Sequence, residues 1–436
     1  MRTMQSHIAG KFRGWVQAVA AVALVSVIAA CGGGGGGDSS SSSNNSSTTL
    51  NGGSLPASPT QQPIAANSSN NTVAITVGRG VNGVINIPTV SVTVCAPGST
   101  TNCQKIDNIQ VDTGSFGLRV VSSVLNQSML NALSINTIGT NNAQLAECAT
   151  FADGYTWGTV RTAIIQIGGE TTTVTGIPIQ IIGDSAAGAA PSGCGSGSAE
   201  NTATDLGANG ILGIGTAPND CGATCADPGR APTYSNYFAC PGGTSCTRAT
   251  VPQAQQVANP AANFTADNNG VIVQMPPVSN TGAASATGTL VFGIGTQSNN
   301  ALAAAQTFTT DTYGNMNNSV FNGTTVQAFF DSGSNAYFFG DSSLALCGSN
   351  YAGFYCPSSA QTRSITLGGL SSTRASANIG ILSASTLFSN TSNYAFNDLA
   401  GQIGGNSSFD LGLPFFYGRY MYYGFATGTQ APYVGF

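Results

Sequence analysis

Histidine is almost absent from this chain of 436 residues, since the only one is His7. Nucleophiles that depend on a histidine base need this residue, and so do most catalytic zinc sites. Residues 1–30 have the features of an export signal, so we expect the mature protein to contain no histidine at all. The composition therefore excludes both of these catalytic classes, and we expect neither a cofactor nor a metal.

Charged residues are also scarce, at 7% of the chain, and lysine occurs only as Lys11 and Lys105. Removal of residues 1–30 takes three of the twelve basic residues and leaves nine against seventeen acidic ones, a formal charge of −8. Such an acidic chain lacks the basic patch that nucleic-acid binding requires. We expect a surface made mainly of Ser, Thr, Asn and Gln, as in secreted β proteins.

A long apolar run is found only near the start, over residues 15–30, after a basic segment. It is too short for a membrane span of roughly 20 residues and suits a secretory signal. It closes on IAAC (28–31), which resembles a bacterial lipobox with Cys31 as the acylated residue. The alternative is an ordinary signal peptidase site with Cys31 incidental. Gly32 follows in place of an inner-membrane-retaining Asp, so we expect an exported protein anchored by this lipid, at the outer membrane.

Residues 31–71 consist mainly of Gly, Ser, Asn, Thr and Pro, with little to bury. Such a segment cannot offset the entropy of ordering it, so we predict a disordered tether between the signal peptide (1–30) and the folded part. The rest of the chain exceeds the size at which single cores split, which predicts two subdomains.

Ten cysteines remain once Cys31 is set aside, an even number that suits an oxidising compartment. Short spacings predict four local disulfides, and elimination gives a fifth: Cys95–Cys103, Cys221–Cys225, Cys240–Cys246 and Cys347–Cys356, then Cys148–Cys194. The alternative is a four-thiolate zinc site; its ligands would be Cys221, Cys225, Cys240 and Cys246.

Helical periodicity is limited to two short stretches, 120–133 and 341–346. Elsewhere β-branched and aromatic runs alternate with Gly, Asn or Pro turns, which predicts an all-β protein. The clearest predicted strands are Thr72–Val77, Val90–Val94, Thr162–Ile167 and Thr289–Phe292.

A short motif occurs twice: an apolar strand that ends in Asp, a hydroxyl residue, Gly and Ser. The first copy is Asp112-Thr113-Gly114-Ser115 and the second is Asp331-Ser332-Gly333-Ser334. An apolar segment containing glycine follows each copy at a similar distance. Two such motifs would arise by chance in roughly one chain in a thousand, so we interpret them as an internal repeat.

These segments resemble the active-site turns of the pepsin-like aspartic proteases. VDTGSFGLRV (111–120) is similar to the first turn, and FFDSGSNAYFFG (329–340) is similar to the second. NGILGIG (209–215) and FDLGLPFFYGRYMYYGF (409–425) resemble the segments that cross behind them. The resemblance implies an all-β bilobal fold with two pseudo-twofold-related lobes and few short helices. We expect the N-terminal lobe at 72–300 and the C-terminal lobe at 301–436.

The resemblance also implies roles for the residues of both turns. Asp112 and Asp331 would share one proton and activate a water molecule. Gly114 and Gly333 would allow tight turns, and the hydroxyls of Thr113 and Ser332 would lock the turns together. The remaining pair, Ser115 and Ser334, would donate hydrogen bonds to the outer carboxylate oxygens.

FADGYTWG (151–158) resembles the hairpin flap that closes over substrate in that family, which makes Phe151, Tyr155 and Trp157 candidate substrate contacts. Packing within the hairpin is the alternative. The family's usual flap tyrosine is replaced by Phe151, and its partner tryptophan by Arg119. Arg119 is either a solvated charge or the partner of a nearby acid.

The function that follows from this resemblance is an aspartic endopeptidase acting on extended peptides or proteins, as a monomer. The alternative is a non-catalytic peptide- or protein-binding lipoprotein on the same fold, favoured by the changes at Arg119 and Phe151. A third hypothesis, an unrelated β-rich surface protein, predicts no equivalence between the two halves.

Overall fold

The computed structural model describes Leu55 and residues 70–195, 197–428 and 430–436. The predicted signal peptide and lipidation at Cys31 lie outside these residues. So does the predicted tether, apart from Leu55, Asn70 and Asn71.

The described part of the chain is built mainly from strands, as the sequence predicted for an all-β protein. The strands are β1 (Thr72–Val77), β2 (Pro88–Cys95), β3 (Cys103–Asp112), β4 (Phe116–Val121), β5 (Thr137–Ile138), β6 (Ala143–Thr150), β7 (Gly154–Ile167), β8 (Glu170–Thr171), β9 (Ile177–Ile182), β10 (Ser198–Ala199), β11 (Gly210–Ile214), β12 (Tyr237–Cys240), β13 (Thr247–Arg248), β14 (Gly270–Gln274), β15 (Ala286–Phe292), β16 (Thr307–Thr309), β17 (Met316–Phe321), β18 (Thr324–Asp331), β19 (Tyr337–Phe339), β20 (Gln361–Gly368), β21 (Arg374–Ile381), β22 (Ala400–Gly401), β23 (Ser408–Gly412), β24 (Tyr420–Gly424) and β25 (Tyr433–Gly435).

In the part of the chain that the structure describes, helices are few and short. The α-helices are α1 (Gln127–Ala132), α2 (Ala203–Leu206), α3 (Ala223–Ala226), α4 (Ala231–Tyr234) and α5 (Ala384–Leu387). Turns of 3-10 helix lie at Ser122–Val124, Ser185–Ala187, Pro241–Gly243, Gln253–Gln255, Ala261–Asn263, Ser349–Tyr351 and Leu413–Phe416. The all-β class with few short helices is thereby confirmed.

The strands form two sheets. The larger sheet joins β1 to β16 with β24 and β25, and the smaller joins β17 to β23. Side chains of a strand point alternately to opposite faces of the sheet, so one face can be buried. In β2, for example, Val90, Val92 and Val94 are buried.

The two aspartate-bearing strands lie in equivalent three-strand arrangements. β3 pairs in parallel with β11, whose other edge pairs antiparallel with β4. β18 pairs in parallel with β23, whose other edge pairs antiparallel with β19. The register is also equivalent, because Asp112 lies opposite Gly213 and Asp331 lies opposite Gly412. This repeat contradicts the third hypothesis, which predicted no equivalence.

One hydrophobic core supports both arrangements. Val111 precedes Asp112 and Phe330 precedes Asp331, and both are buried in the same cluster. In the second half the core is strongly aromatic: Phe339 stacks on Phe409 with ring centroids 4.6 Å apart. Close packing of these buried side chains fixes the strand ends from which the two aspartates project.

All five predicted disulfides are present: Cys95–Cys103, Cys148–Cys194, Cys221–Cys225, Cys240–Cys246 and Cys347–Cys356. The alternative of a zinc site is wrong, because its four cysteines form two of these bonds. Disulfides persist in oxidising compartments, so they indicate an extracellular or periplasmic location.

The described residues include no helix that is both long and apolar enough to cross a membrane.

The two predicted helices differ in outcome. The stretch 120–133 contains α1, whose first turn is capped by the side chain of Asn126, which accepts a hydrogen bond of 2.7 Å from the backbone N–H of Met129. The helix predicted over 341–346 does not form. Asp341 instead accepts hydrogen bonds from Ser343 within a turn and forms an ion pair with Arg363, N–O 2.6 Å.

Candidate functional site

Asp112 stands at the end of β3, where the chain turns back towards β4. Its Oδ1 accepts a hydrogen bond of 2.9 Å from the backbone N–H of Gly114, and its Oδ2 accepts one of 2.5 Å from the Ser115 hydroxyl. Asp112 is only 7% exposed. The turn therefore fixes both carboxylate oxygens with donors from the next three residues.

Asp331 has the same environment at the end of β18. Its Oδ1 accepts from the N–H of Gly333 at 2.7 Å, and its Oδ2 accepts from the Ser334 hydroxyl at 2.9 Å. It is 9% exposed. The two copies of the motif thus fold into the same turn, and the same two residue types donate to each aspartate.

Hydroxyl groups link the two turns directly. The Thr113 N–H donates to Ser332 Oγ at 3.1 Å, and the Ser332 N–H donates to Thr113 Oγ1 at 2.9 Å. Each hydroxyl then donates to the other strand, Thr113 to the Phe330 carbonyl at 3.3 Å and Ser332 to the Val111 carbonyl at 2.7 Å. The reciprocal pattern holds the two strand ends side by side.

The glycines bring the carboxyls together. A Cβ added to Gly114 would lie 2.6 Å from Asp331 Cγ, and one added to Gly333 would lie 2.6 Å from Asp112 Oδ1. Real Cβ atoms do not approach other atoms so closely, so each aspartate occupies space that only glycine leaves open. Asp112 and Asp331 come within hydrogen-bonding reach of each other.

Burial and the adjacent Asp112 carboxyl raise the pKa of Asp331 to about 8. Two close carboxyls do not both ionise readily, so one proton is shared between them. The pair of carboxyls therefore holds one proton at neutral pH. A pair with one ionised and one protonated carboxyl can act as a general base and a general acid at the same time.

Phe151 lies at the tip of the hairpin formed by β6 and β7, where its N–H donates to the Gly154 carbonyl at 2.8 Å. Tyr155 is partly buried against a core cluster. Trp157 is 3% exposed, donates from Nε1 to the Gly188 carbonyl at 3.0 Å and packs edge-on against Phe238. The structure therefore places Trp157 in the packed middle of the hairpin, opposite Cys148, and Phe151 at its tip.

Arg119 is buried, which answers the question that the sequence left open. Its Nη2 donates to Glu147 Oε1 at 2.6 Å and to Asp220 Oδ2 at 3.2 Å. Asp220 also accepts a hydrogen bond of 2.5 Å from the Tyr237 hydroxyl. The guanidinium lies 5.7 Å from the centroid of the Phe151 ring. We call Arg119, Glu147, Asp220 and Tyr237 the buried ion cluster.

The buried ion cluster holds one guanidinium and two carboxyls. Burial alone lowers the pKa of Arg119, but Glu147 and Asp220 raise it above its usual value. Burial and then the charge of Glu147 raise the pKa of Asp220 well above its usual range. The cluster therefore connects the hairpin to β4 through charge, where the pepsin-like proteases use a tyrosine and a tryptophan.

Sequence reasoning missed Asp410, on β23 behind the second turn, which is 1% exposed. The available signal was a carboxyl within the buried apolar strand SFDLG. Within the described residues no group of three or more His, Cys, Asp or Glu side chains is arranged to hold a metal ion.

The model of a family described as a protein of unknown function (DUF3443) matches residues 67–436. No curated protein matches the chain. The expectation that the chain is a member of the pepsin-like aspartic protease family is therefore wrong, because the family that matches is DUF3443 and no aspartic protease family does.

Proposed function

The chain belongs to the DUF3443 family, and we propose that it is an aspartic endopeptidase. One observation carries the proposal: two equivalent turns place Asp112 and Asp331 within reach of each other and are linked by hydroxyls. A structural ion pair joins a carboxylate to a cation, so it does not explain two neighbouring carboxyls. Catalysis with a shared proton requires such a pair of carboxyls.

In the proposed reaction, ionised Asp112 takes a proton from a water molecule while the water oxygen bonds to the peptide carbonyl carbon. Protonated Asp331 gives its proton to the carbonyl oxygen, which forms a neutral tetrahedral intermediate. Asp112 then passes its proton to the amide nitrogen as the C–N bond breaks. One hydroxyl of the intermediate returns a proton to Asp331, so the products are a carboxylic acid and an amine and the pair is restored.

The architecture that we propose for this reaction is bilobal, of the type found in pepsin-like proteases, with one turn from each lobe. The equivalent arrangements around β3 and β18 support it. An extended peptide or protein would lie between the lobes under the hairpin tip at Phe151. We further propose a monomer that is anchored to the outer membrane through a lipid on Cys31.

Cleavage of a quenched peptide library by the folded domain tests the proposal. We expect turnover by the wild type and none by Asp112→Asn or Asp331→Asn. Asp107→Asn is the matched control, because Asp107 lies on the same strand as Asp112 with a side chain that is 64% exposed. Turnover that survives in either active-site variant overturns the proposal. A folded wild type without turnover favours the alternative, a peptide- or protein-binding lipoprotein.

A further inference from the structure

A third carboxyl lies directly behind the pair. Asp410 is opposite Phe329 on β18 and opposite Phe338 on β19, so it occupies the centre of the second three-strand arrangement. It is 1% exposed, and its Oδ1 forms no hydrogen bond within the described part of the chain. The carboxyl is close enough to Ser334 to form a hydrogen bond with its hydroxyl.

The first half of the molecule has no carboxyl at this place. Gly213 lies opposite Asp112 as Gly412 lies opposite Asp331, and Ile211 precedes Gly213 by two residues as Asp410 precedes Gly412. Ile211 is therefore the equivalent residue, and it is buried. An isoleucine suffices for packing at this position, so packing alone does not explain a carboxyl at Asp410.

The number of hydrogens on Ser334 constrains the protonation of Asp410. A hydroxyl has one hydrogen, and Ser334 donates it to Asp331 Oδ2 at 2.9 Å. Towards Asp410 the serine oxygen therefore offers only lone pairs. A carboxylate facing them would be buried without a donor, which is costly, whereas a protonated carboxyl can donate to the serine.

The surroundings of Asp410 also favour its neutral form. The titratable groups that face it are Asp331 on β18, Asp112 on β3 and Tyr423 on β24, all of them acids. Tyr337 on the adjacent β19 faces Arg419 and Asp398. Burial and then the charge of Asp331 raise the pKa of Asp410 well above its usual value.

We propose that Asp410 is a proton-holding positioning residue of the pair: its O–H donates to Ser334 Oγ, which directs the single Ser334 hydrogen onto Asp331 Oδ2. Consecutive hydrogen bonds strengthen one another, so this chain reinforces the bond that stabilises ionised Asp331. The inference rests on the proposed function for its effect on turnover, but the proton on Asp410 does not depend on it.

Two variants distinguish three possible roles of Asp410: a hydrogen-bond donor, a carboxylate and a group that only fills space. Asp410→Asn keeps a donor for Ser334 but cannot ionise, and we expect kcat/KM and its pH profile to stay near those of the wild type. Asp410→Ile copies the residue of the first half and removes the donor. For this variant we expect kcat to fall by about tenfold and the alkaline limit of activity to move to higher pH, because ionised Asp331 loses support.

Each other pattern overturns the inference. Loss of turnover in both variants means that Asp410 works as a carboxylate, and retention in both means that it only fills space. The proton on Asp410 is measured from the carboxyl ¹³C shift of this residue in the folded wild type at pH 7. This measurement does not depend on activity, and a variant is needed only to assign the signal. We expect the shift of a protonated carboxyl, and that of a carboxylate overturns the inference even if peptides are cleaved. A protonated Asp410 in a protein that cleaves nothing would leave the proton assignment intact and reject the proposed function alone.

Discussion

At the scale of single residues, the relative position of the two aspartates depends on Thr113 and Ser332. Their backbone N–H groups and hydroxyls form four hydrogen bonds between the turns, and both residues are buried. Loss of one partner leaves a buried polar group unsatisfied, which costs about 1–3 kcal/mol. The same loss also relaxes the alignment of the carboxyls.

We predict that Thr113→Val lowers the free energy of unfolding by about 1–3 kcal/mol, because the Ser332 N–H loses its acceptor. Turnover should fall as well, since small displacements of reacting groups have large effects on rate. Denaturant unfolding and peptide cleavage measure the two effects. Thr325→Val on the same strand as Asp331 is the matched control, because Thr325 is exposed. Equal behaviour of the two variants would show that the link between the turns is not important.

The surroundings of each aspartate could be predicted from the sequence, because the donors to each carboxylate lie within three positions of it. Asp410 and the partners of Arg119 could not. Glu147 and Asp220 are 28 and 101 positions from Arg119, so only the folded structure brings them together. The resemblance suggested the wrong family, since the family that matches is DUF3443.

At the scale of elements, the buried ion cluster connects four parts of the fold. Arg119 lies on β4, Glu147 on β6 and Tyr237 on β12, and Asp220 lies in the segment after β11. The side chains of the ion pairs are at most 5% exposed. Removal of one partner from a buried pair leaves an uncompensated charge, which is strongly destabilising.

We predict that Arg119→Leu lowers the free energy of unfolding by about 3–5 kcal/mol at pH 7. The loss should be smaller at pH 4, because Asp220, whose pKa is raised by burial, is then neutral and no longer needs a cation beside it. Denaturant unfolding at both pH values measures this difference. Arg374→Leu is the control, since Arg374 is exposed on β21. A loss no greater than that of the control, or one that does not depend on pH, would contradict this role of the cluster.

The sequence predicted strands better than helices. Thr72–Val77 coincides with β1, and the other three predicted strands fall within β2, β7 and β15. Alternation of side chains is a local property that burial on one face enforces. The helix expected over 341–346 was wrong because Asp341 pairs with Arg363, which belongs to β20 and is invisible to any local pattern.

At the scale of the whole molecule, several carboxyls are buried with raised pKa values. Burial is the main cause for each: it raises the pKa of Asp331 to about 8, and those of Glu170 and Asp398 to about 7. Asp107 and Asp341 have lowered pKa values, the first through a hydrogen bond from Ser91 and the second through Ser343 and Arg363, which outweigh burial. Unfolded carboxyls titrate near pH 4.

We predict that the protein is more stable at pH 5 than at pH 8. Between about pH 4 and 8 the folded state binds more protons than the unfolded state, so the contribution of the carboxyls with raised pKa values is lost as the pH rises. The two lowered groups lose their contribution only below about pH 4. Denaturant unfolding across this range tests the sign, and Asp398→Asn should flatten the dependence. A stability that increases steadily towards pH 8 would contradict the account.

The pH dependence of peptide cleavage tests the central claim, that Asp112 and Asp331 work with one shared proton. The assay would compare wild type, Asp112→Asn and Asp331→Asn over about pH 3 to 9. We predict that kcat/KM is sustained at pH 7, falls above about pH 8 as Asp331 loses the shared proton, and is abolished in both variants. A folded wild type that cleaves no peptide at any pH in this range, or variants that cleave as well as it does, would contradict the claim.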